Sequence, residues 1–226
     1  LSRMEHPLRA VYKKLYARFG PQYWWPGRSP FEVMVGAILT QNTSWGNVEK
    51  AIIRLREKGR LSPAALYRLR QPRLAALIRP AGYYNIKAAR LRNYTRFYLD
   101  EFGGSVSRMA RAEASCLRAR LLAVNGIGEE TADSILLYAL GKPVFVVDAY
   151  TKRIFSRHGF FPADSDYARV QSVFTGALGS DARLFNEYHA LIVRLGKDYC
   201  HKTRPRCEGC PLNTGKPPFS FTGVLL

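Results

Sequence analysis

Residues Leu122-Ala123-Val124-Asn125-Gly126-Ile127-Gly128-Glu129-Glu130-Thr131-Ala132-Asp133 decide how this chain is read. Two glycines two positions apart allow positive φ and a tight reversal between two helices. Backbone N–H groups at the start of the second helix are left without intrahelical partners. Such a nest, backed by the positive end of a helix, holds a phosphate oxygen. Val124 and Ile127 are placed to anchor the two helices to each other. The plain alternative is an ordinary helix–helix connection. In the phosphate-gripping reading, Asn125, Gly126, Gly128 and Thr131 form a grip on nucleic acid that ignores base sequence.

Outward from this hairpin, almost every segment has helical spacing. Cys116–Ala123 and Glu129–Leu140 flank it. Upstream, Pro7–Phe19 carries Leu8, Val11, Leu15 and Phe19 at helical intervals and stops at Gly20-Pro21. Ser29-Pro30 opens a second helix, with Glu32 completing a capping-box pattern. Further helices are predicted over Asn47–Leu55, from Ser62-Pro63 to Arg70, over Gln71–Ile78, and over Asn85–Glu101 up to Gly103-Gly104. Downstream, Ala149–Arg157, Tyr167–Leu178 and Arg183–Gly196 follow. Val144–Val147 is β-branched but short. The sequence therefore predicts an all-α protein.

Charge points to the partner. Among 226 residues, 35 are Lys or Arg and 17 are Asp or Glu, a net charge of +18. Basic residues are dispersed rather than gathered in a tail, so the charge belongs to folded surfaces. A polyanion suits it, and nucleic acid foremost, because neutralising phosphates releases counterions. A ribosome-associated or merely basic surface is the alternative. An apolar fraction of 47% excludes a disordered polyelectrolyte. No apolar run approaches the roughly 18 residues of a membrane span, and Leu1–Ala10 lacks the core of a signal peptide. We expect a cytoplasmic, nucleoid-associated monomer with no membrane partner.

Twenty residues after Gly128 comes Val146-Val147-Asp148-Ala149-Tyr150-Thr151-Lys152-Arg153. Asp148 reads as an N-cap, worth about 1 kcal/mol, or as a catalytic carboxylate at a helix start. The hairpin, the spacer and the Val-Asp pair resemble the helix-hairpin-helix superfamily of base-excision DNA glycosylases. The endonuclease III branch is the nearest match, from Phe31-Glu32-Val33 through Leu39-Thr40-Gln41-Asn42-Thr43 to the C-terminal cysteines. The resemblance implies two helical lobes with a DNA cleft between them. Residues 1–28 and 136–226 would build one lobe, carrying Asp148 and the cysteine loop, and 29–135 the other, carrying the hairpin. It also implies double-stranded DNA as partner, a flipped-out base, and an Asp that supports cleavage of the N-glycosidic bond. The chemistry agrees: cleavage builds positive charge on the sugar, which a carboxylate stabilises while orienting water. In bifunctional relatives a Lys two residues after the second hairpin glycine forms a Schiff base. Here that position is Glu130, which cannot do so. Lys142 and Lys152 belong to other places in the pattern. A monofunctional glycosylase is expected, one that needs no cofactor for catalysis.

All three tryptophans lie in two segments, Tyr23-Trp24-Trp25-Pro26 and the stretch from Leu39 to Trp45. Core packing is the ordinary reading of one Trp. Three around a polar Gln-Asn-Thr run suit a base-stacking pocket. With Glu130, these features resemble the endonuclease III-like 3-methyladenine DNA glycosylases. Trp24, Trp25 and Trp45 would hold the cationic base by stacking and cation–π attraction, about 1–2 kcal/mol when desolvated. The resemblance has Gln41 fill the gap left in the duplex or contact the orphan strand; a helix cap or buried amide is its alternative. It also matches Tyr83-Tyr84-Asn85-Ile86-Lys87-Ala88 to a second DNA-facing turn, with an intercalating side chain near Tyr83. Within the enzyme class, oxidised pyrimidines, or uracil or thymine opposite guanine, are competing substrates. A catalytically silent DNA-binding module is the competing class.

Cys200, Cys207 and Cys210 form C-x6-C-x2-C. Endonuclease III-type enzymes add a fourth Cys to hold a [4Fe–4S] cluster, and here that position is Lys216. Three thiolates are an incomplete set for a cubane or a structural zinc. His201 is the nearest further donor. A cluster, another metal and a metal-free loop all stay open. Lys202, Arg204 and Arg206 are expected to contact phosphate. Cys116 reads as a small core residue.

Overall fold

The computed structural model describes residues 6–213, and among these there are helices and no strand. The helices are α1 (Pro7–Phe19), α2 (Pro30–Leu39), α3 (Trp45–Glu57), α4 (Pro63–Tyr67), α5 (Gln71–Leu77), α6 (Tyr84–Phe102), α7 (Val106–Arg111), α8 (Ala114–Leu122), α9 (Glu129–Ser134), α10 (Ala149–Arg157), α11 (Tyr167–Leu178) and α12 (Ala182–Asp198). A single 3-10 turn spans Arg79–Ala81 and a π-helical stretch, Ile135–Ala139, continues α9. None of the described helices is long and apolar enough to cross a membrane. Trp25–Lys142 forms one compact unit; the segments before and after it form the other. Residues 25–28 and 136–142, expected in the unit of Asp148, thus belong with the hairpin.

The unit of residues 25–142 is built around α2. Phe31 to Leu39 are all buried, and a helix apolar on every side must be enclosed. α3, α6, α9 and the π-helical stretch pack against it. Ser29 Oγ accepts from Glu32 N at 3.2 Å. The expected capping box is only half made, because the Glu32 carboxylate accepts from Arg56 Nη2 at 2.7 Å instead. A buried carboxylate gains more from a guanidinium than from one backbone N–H. Lys87, expected in a DNA-facing turn, is also buried, at 1% exposure. Its Nζ donates to Leu39 O at 2.8 Å and Ala81 O at 2.7 Å, tying the end of α2 to the 3-10 turn. Helix α7 was not foreseen: Val106–Arg111 buries only Met109, so it has no apolar period to read. Cys116, expected in the core, is exposed; α8 buries Leu117 and Leu121, the face one residue on.

The unit that contains Asp148 packs α1, α10, α11 and α12 around aromatic rings. Phe145 stacks on Phe174 at 4.1 Å between centroids, and Phe155, Phe185 and Tyr188 close around them. Tyr188 Oη donates to Leu8 O at 2.8 Å, fastening α12 to α1. Val144–Val147 runs as irregular chain into Asp148.

Candidate active site

The hairpin joins α8 to α9 through Ala123–Gly128. Only one of its two glycines uses positive φ: Gly126 stands at +93°, while Gly128 is extended at −97° and caps α9. A Cβ at Gly126 would lie 2.3 Å from Arg90 Cγ, whereas nothing lies within 4 Å of one at Gly128. Gly126 is therefore required by the fold, and Gly128 keeps the approach to the helix start open. Gly128 gives α9 no side-chain cap hydrogen bond. Ile127 is buried and Val124 half-buried. The two helices are braced by a buried ion pair the motif does not announce. Arg118 Nε and Nη2 donate to the fully buried Asp133 carboxylate at 2.7 and 3.1 Å.

Gln41 meets this hairpin from the end of α2. Its Nε2 donates to Thr131 Oγ1 at 2.8 Å and Gly126 O at 3.2 Å, and its Oε1 accepts from Arg90. Asn93 Nδ2 donates to Asn125 O at 3.2 Å. Gln41 and Thr131, both read as DNA-contacting, are here used on each other. Thr131 is buried and supports the loop from within, while Asn125 and Gly128 are exposed. Tyr83 caps α6 with φ +44° and is exposed, as is Ile86.

The tryptophans are not treated alike. Trp25 packs edge-on to Trp45 with centroids 5.1 Å apart, and lies 5.1 Å from Tyr138. Gly36 makes room beneath them: a Cβ there would stand 3.3 Å from Trp25 Nε1 and 3.5 Å from Trp45 Cζ3. Tyr138 sits in the π-helical stretch, a distortion common at functional sites. Trp24 falls in the other unit, with Lys197 Nζ 5.9 Å over its ring.

Asp148 caps α10. Its Oδ1 accepts from Thr151 N at 2.7 Å and Thr151 Oγ1 at 2.9 Å. Its Oδ2 lies 3.6 Å from Nε2 of the buried His189 on α12. The cap reading is thus met by one carboxylate oxygen. Glu130 is exposed in the first turn of α9. The lysines that could replace a nucleophile there are engaged elsewhere. Lys142 Nζ donates to Ala112 O at 2.6 Å and Ala110 O at 3.1 Å, and Lys152 Nζ to Ser165 O at 2.9 Å.

The cysteine loop is held by arginines. Arg157 Nη1 donates to Cys200 Sγ at 3.3 Å and His201 O at 2.7 Å, Nη2 donates to Lys202 O at 2.7 Å, and Arg153 Nε to Cys200 O at 2.9 Å. Burial pushes the Cys210 thiol above its usual pKa. Among the described residues no three His, Cys, Asp or Glu side chains form a metal-ligand group. Lys216 lies outside the described residues. The thiols present do not supply the four-thiolate set of a cubane cluster. Lys202, Arg204 and Arg206 are exposed.

Arg90, Arg118, Tyr138 and His189 escape a motif-based reading. Only His189 leaves a signal in sequence: a histidine on the apolar face of a helix, beside Phe185, Tyr188 and Ile192.

Comparison with known proteins shows the family. The HhH-GPD superfamily of base excision DNA repair proteins matches residues 35–177. MJ1434 of Methanocaldococcus jannaschii, provisionally named a DNA repair glycosylase, is 47% identical over 204 residues, covering 89% of this chain and 92% of that one. Endonuclease III of Thermotoga maritima is 29% identical over 181 residues, covering 80% and 79%. The structure of H. pylori 3-methyladenine DNA glycosylase MagIII, with 1,N6-ethenoadenine bound, superposes with TM-score 0.75 at 29% identity, covering 84% of this chain and 97% of that one. An endonuclease III trapped covalently on DNA superposes with TM-score 0.78 at 24% identity, covering 91% and 92%, which speaks for the fold alone.

Proposed function

The chain belongs to the HhH-GPD superfamily of base excision DNA repair proteins, and from that premise we propose a monofunctional glycosylase that removes a damaged base from double-stranded DNA and leaves the strand unbroken. The observation that carries this reading is Glu130 where an amine nucleophile would stand, with Lys142 and Lys152 both committed to backbone carbonyls. Without an amine no Schiff base forms. Water is then the nucleophile: its oxygen bonds to C1′, the bond from C1′ to the base breaks, and the base leaves with the electron pair. Asp148 stabilises the positive charge that develops on the sugar and takes the proton of the attacking water.

An alkylated purine, 3-methyladenine foremost, is the substrate that the aromatic group suits best. Trp25, Trp45 and Tyr138 gather rings whose electron-rich faces attract a cation. The likeness to an H. pylori enzyme named for 3-methyladenine supports it. A second reading rests on Lys197. An ammonium over Trp24 repels a cationic base and favours a neutral one, such as uracil or thymine opposite guanine.

The test is a panel of duplexes carrying 3-methyladenine, 1,N6-ethenoadenine, uracil or thymine opposite guanine, or an oxidised pyrimidine. Each is incubated with the protein and analysed with and without alkali. We expect base release from the alkylated purine, strand breaks only after alkali, and no covalent complex on borohydride treatment. Efficient borohydride trapping contradicts the monofunctional reading. Release of uracil or thymine alone selects the second reading, and release of no base leaves a DNA-binding module.

A further inference from the structure

We infer that His189 is a positioning residue for base excision: from α12 it fixes the carboxylate oxygen of Asp148 that Thr151 leaves open. The inference rests on the reading of Asp148 as the cleaving residue. The two oxygens of Asp148 have different surroundings. Oδ1 is occupied by Thr151 N and Oγ1 at 2.7 and 2.9 Å. Oδ2 faces His189 Nε2 at 3.6 Å, with the side chains only 11% and 6% exposed. That separation is longer than a hydrogen bond. Contacts of this kind shorten when substrate loads an active site.

The packing of α12 keeps the two groups facing. Gly196 follows His189 by seven residues, two helical turns, and so shares its face. Against Gly196 lies the ring of Tyr150, at the first turn of α10. The helix that Asp148 caps is therefore seated on the face that carries His189. Burial lowers the pKa of His189 although the Asp148 charge opposes the shift. A neutral imidazole carries one N–H and can donate it to Oδ2. It orients the carboxylate without pairing off its charge, whereas an imidazolium would compete with the sugar cation for that charge. Thr151 already holds one oxygen, and a bond from His189 to the other in the substrate complex would fix the carboxylate plane.

The experiment compares His189→Met with His189→Gln, two unbranched side chains of similar length of which only Gln has a donor. Each is assayed in single-turnover excision of the duplex that the unmodified protein cleaves, with melting temperature and affinity for undamaged DNA measured beside it. Displacing a catalytic group slightly costs on the order of 100-fold, so His189→Met should lose about that factor in rate constant. Half-saturating enzyme concentration should stay unchanged, and His189→Gln should recover about tenfold or more. Equal rates in the two variants, whether both full or both reduced in step with melting temperature, would overturn the inference. If His189→Met does not fold, His189→Gln decides alone. A rate within about tenfold of the parent supports the inference, and a loss of about 100-fold at unchanged melting temperature overturns it. Asp148→Asn assayed in parallel separates the two layers. Its full activity would sink the reading of Asp148. Its inactivity beside a fully active His189→Met would sink only the role of His189.

Discussion

The ring of Tyr150 occupies the space that a side chain at position 196 would need: a Cβ on Gly196 would stand 2.2 Å from Tyr150 Cδ1. Helices α10 and α12 therefore meet at a contact only glycine permits. Arg153 reinforces it, stacking over Tyr150 at 4.9 Å and donating to Cys200 O. Gly196→Ala should separate the helices and shift Asp148 away from His189. We expect a stability loss of about 1–3 kcal/mol, as for overpacking in a core. The excision rate should fall further than the unfolded fraction accounts for. Denaturant melts and single-turnover rates on one preparation check it; an unchanged rate in the folded fraction would disconnect this contact from the site.

The two hairpin glycines should respond differently to alanine. Gly126→Ala meets both φ of +93° and Arg90 Cγ at 2.3 Å, and should cost about 1–3 kcal/mol. Gly128→Ala meets open space and extended backbone, and should change stability by less than about 0.5 kcal/mol. It should nonetheless weaken binding to undamaged DNA, because its methyl group narrows the approach to the N–H groups of α9. Melting curves and DNA titrations at two salt concentrations separate the effects.

Lys87 predicts a pH dependence with a definite sign. Burial, helped by Arg90, lowers its pKa from 10.5 to about 8. Below pH 8 the ammonium is charged in both states and the folded protein bears its desolvation. As pH rises from about 8 toward 10.5, the folded state releases its proton first and gains stability relative to the unfolded chain. The neutral amine keeps two N–H groups, enough for Leu39 O and Ala81 O. The stability of the parent relative to Lys87→Met should rise over that interval. A constant difference between pH 7 and pH 10 would show that Lys87 is not titrating as its burial implies.

Trp45→Ala tests the aromatic group. Loss of one stacking contact should reduce excision by about 1–3 kcal/mol in rate and leave affinity for undamaged DNA almost unchanged. A purely structural Trp45 would instead cost about 3–5 kcal/mol of stability and depress every activity together.

The fold was legible where local chemistry decides it. Pro7–Phe19, Ala149–Arg157 and Tyr167–Leu178 follow from apolar period, caps and stops, and their ends agree with the observed helices. Asp148 was visible as a cap because capping is a short-range bond. Residues that act across the chain were hidden. Arg90 gives Gly126 its meaning, yet the two are far apart in sequence and their contact is made by tertiary packing. Likewise Lys87 reads as a surface lysine beside two tyrosines until Leu39 O and Ala81 O are brought to it. Trp24 and Trp25 are adjacent in sequence but belong to different units, so a cluster read from proximity alone grouped them.

The measurement that bears most directly on the account is the single-turnover excision rate of Asp148→Asn, on the lesion duplex that the unmodified protein processes. Asn keeps one oxygen to accept from Thr151, so the cap and the fold survive, while the charge that faces the developing sugar cation is gone. Excision should fall by about 100-fold or more, with binding to the same duplex unchanged or tighter because a negative charge near phosphates has been removed. Excision within several-fold of the parent rate, by a protein that melts and binds normally, would contradict the assignment of Asp148 and the mechanism built on it.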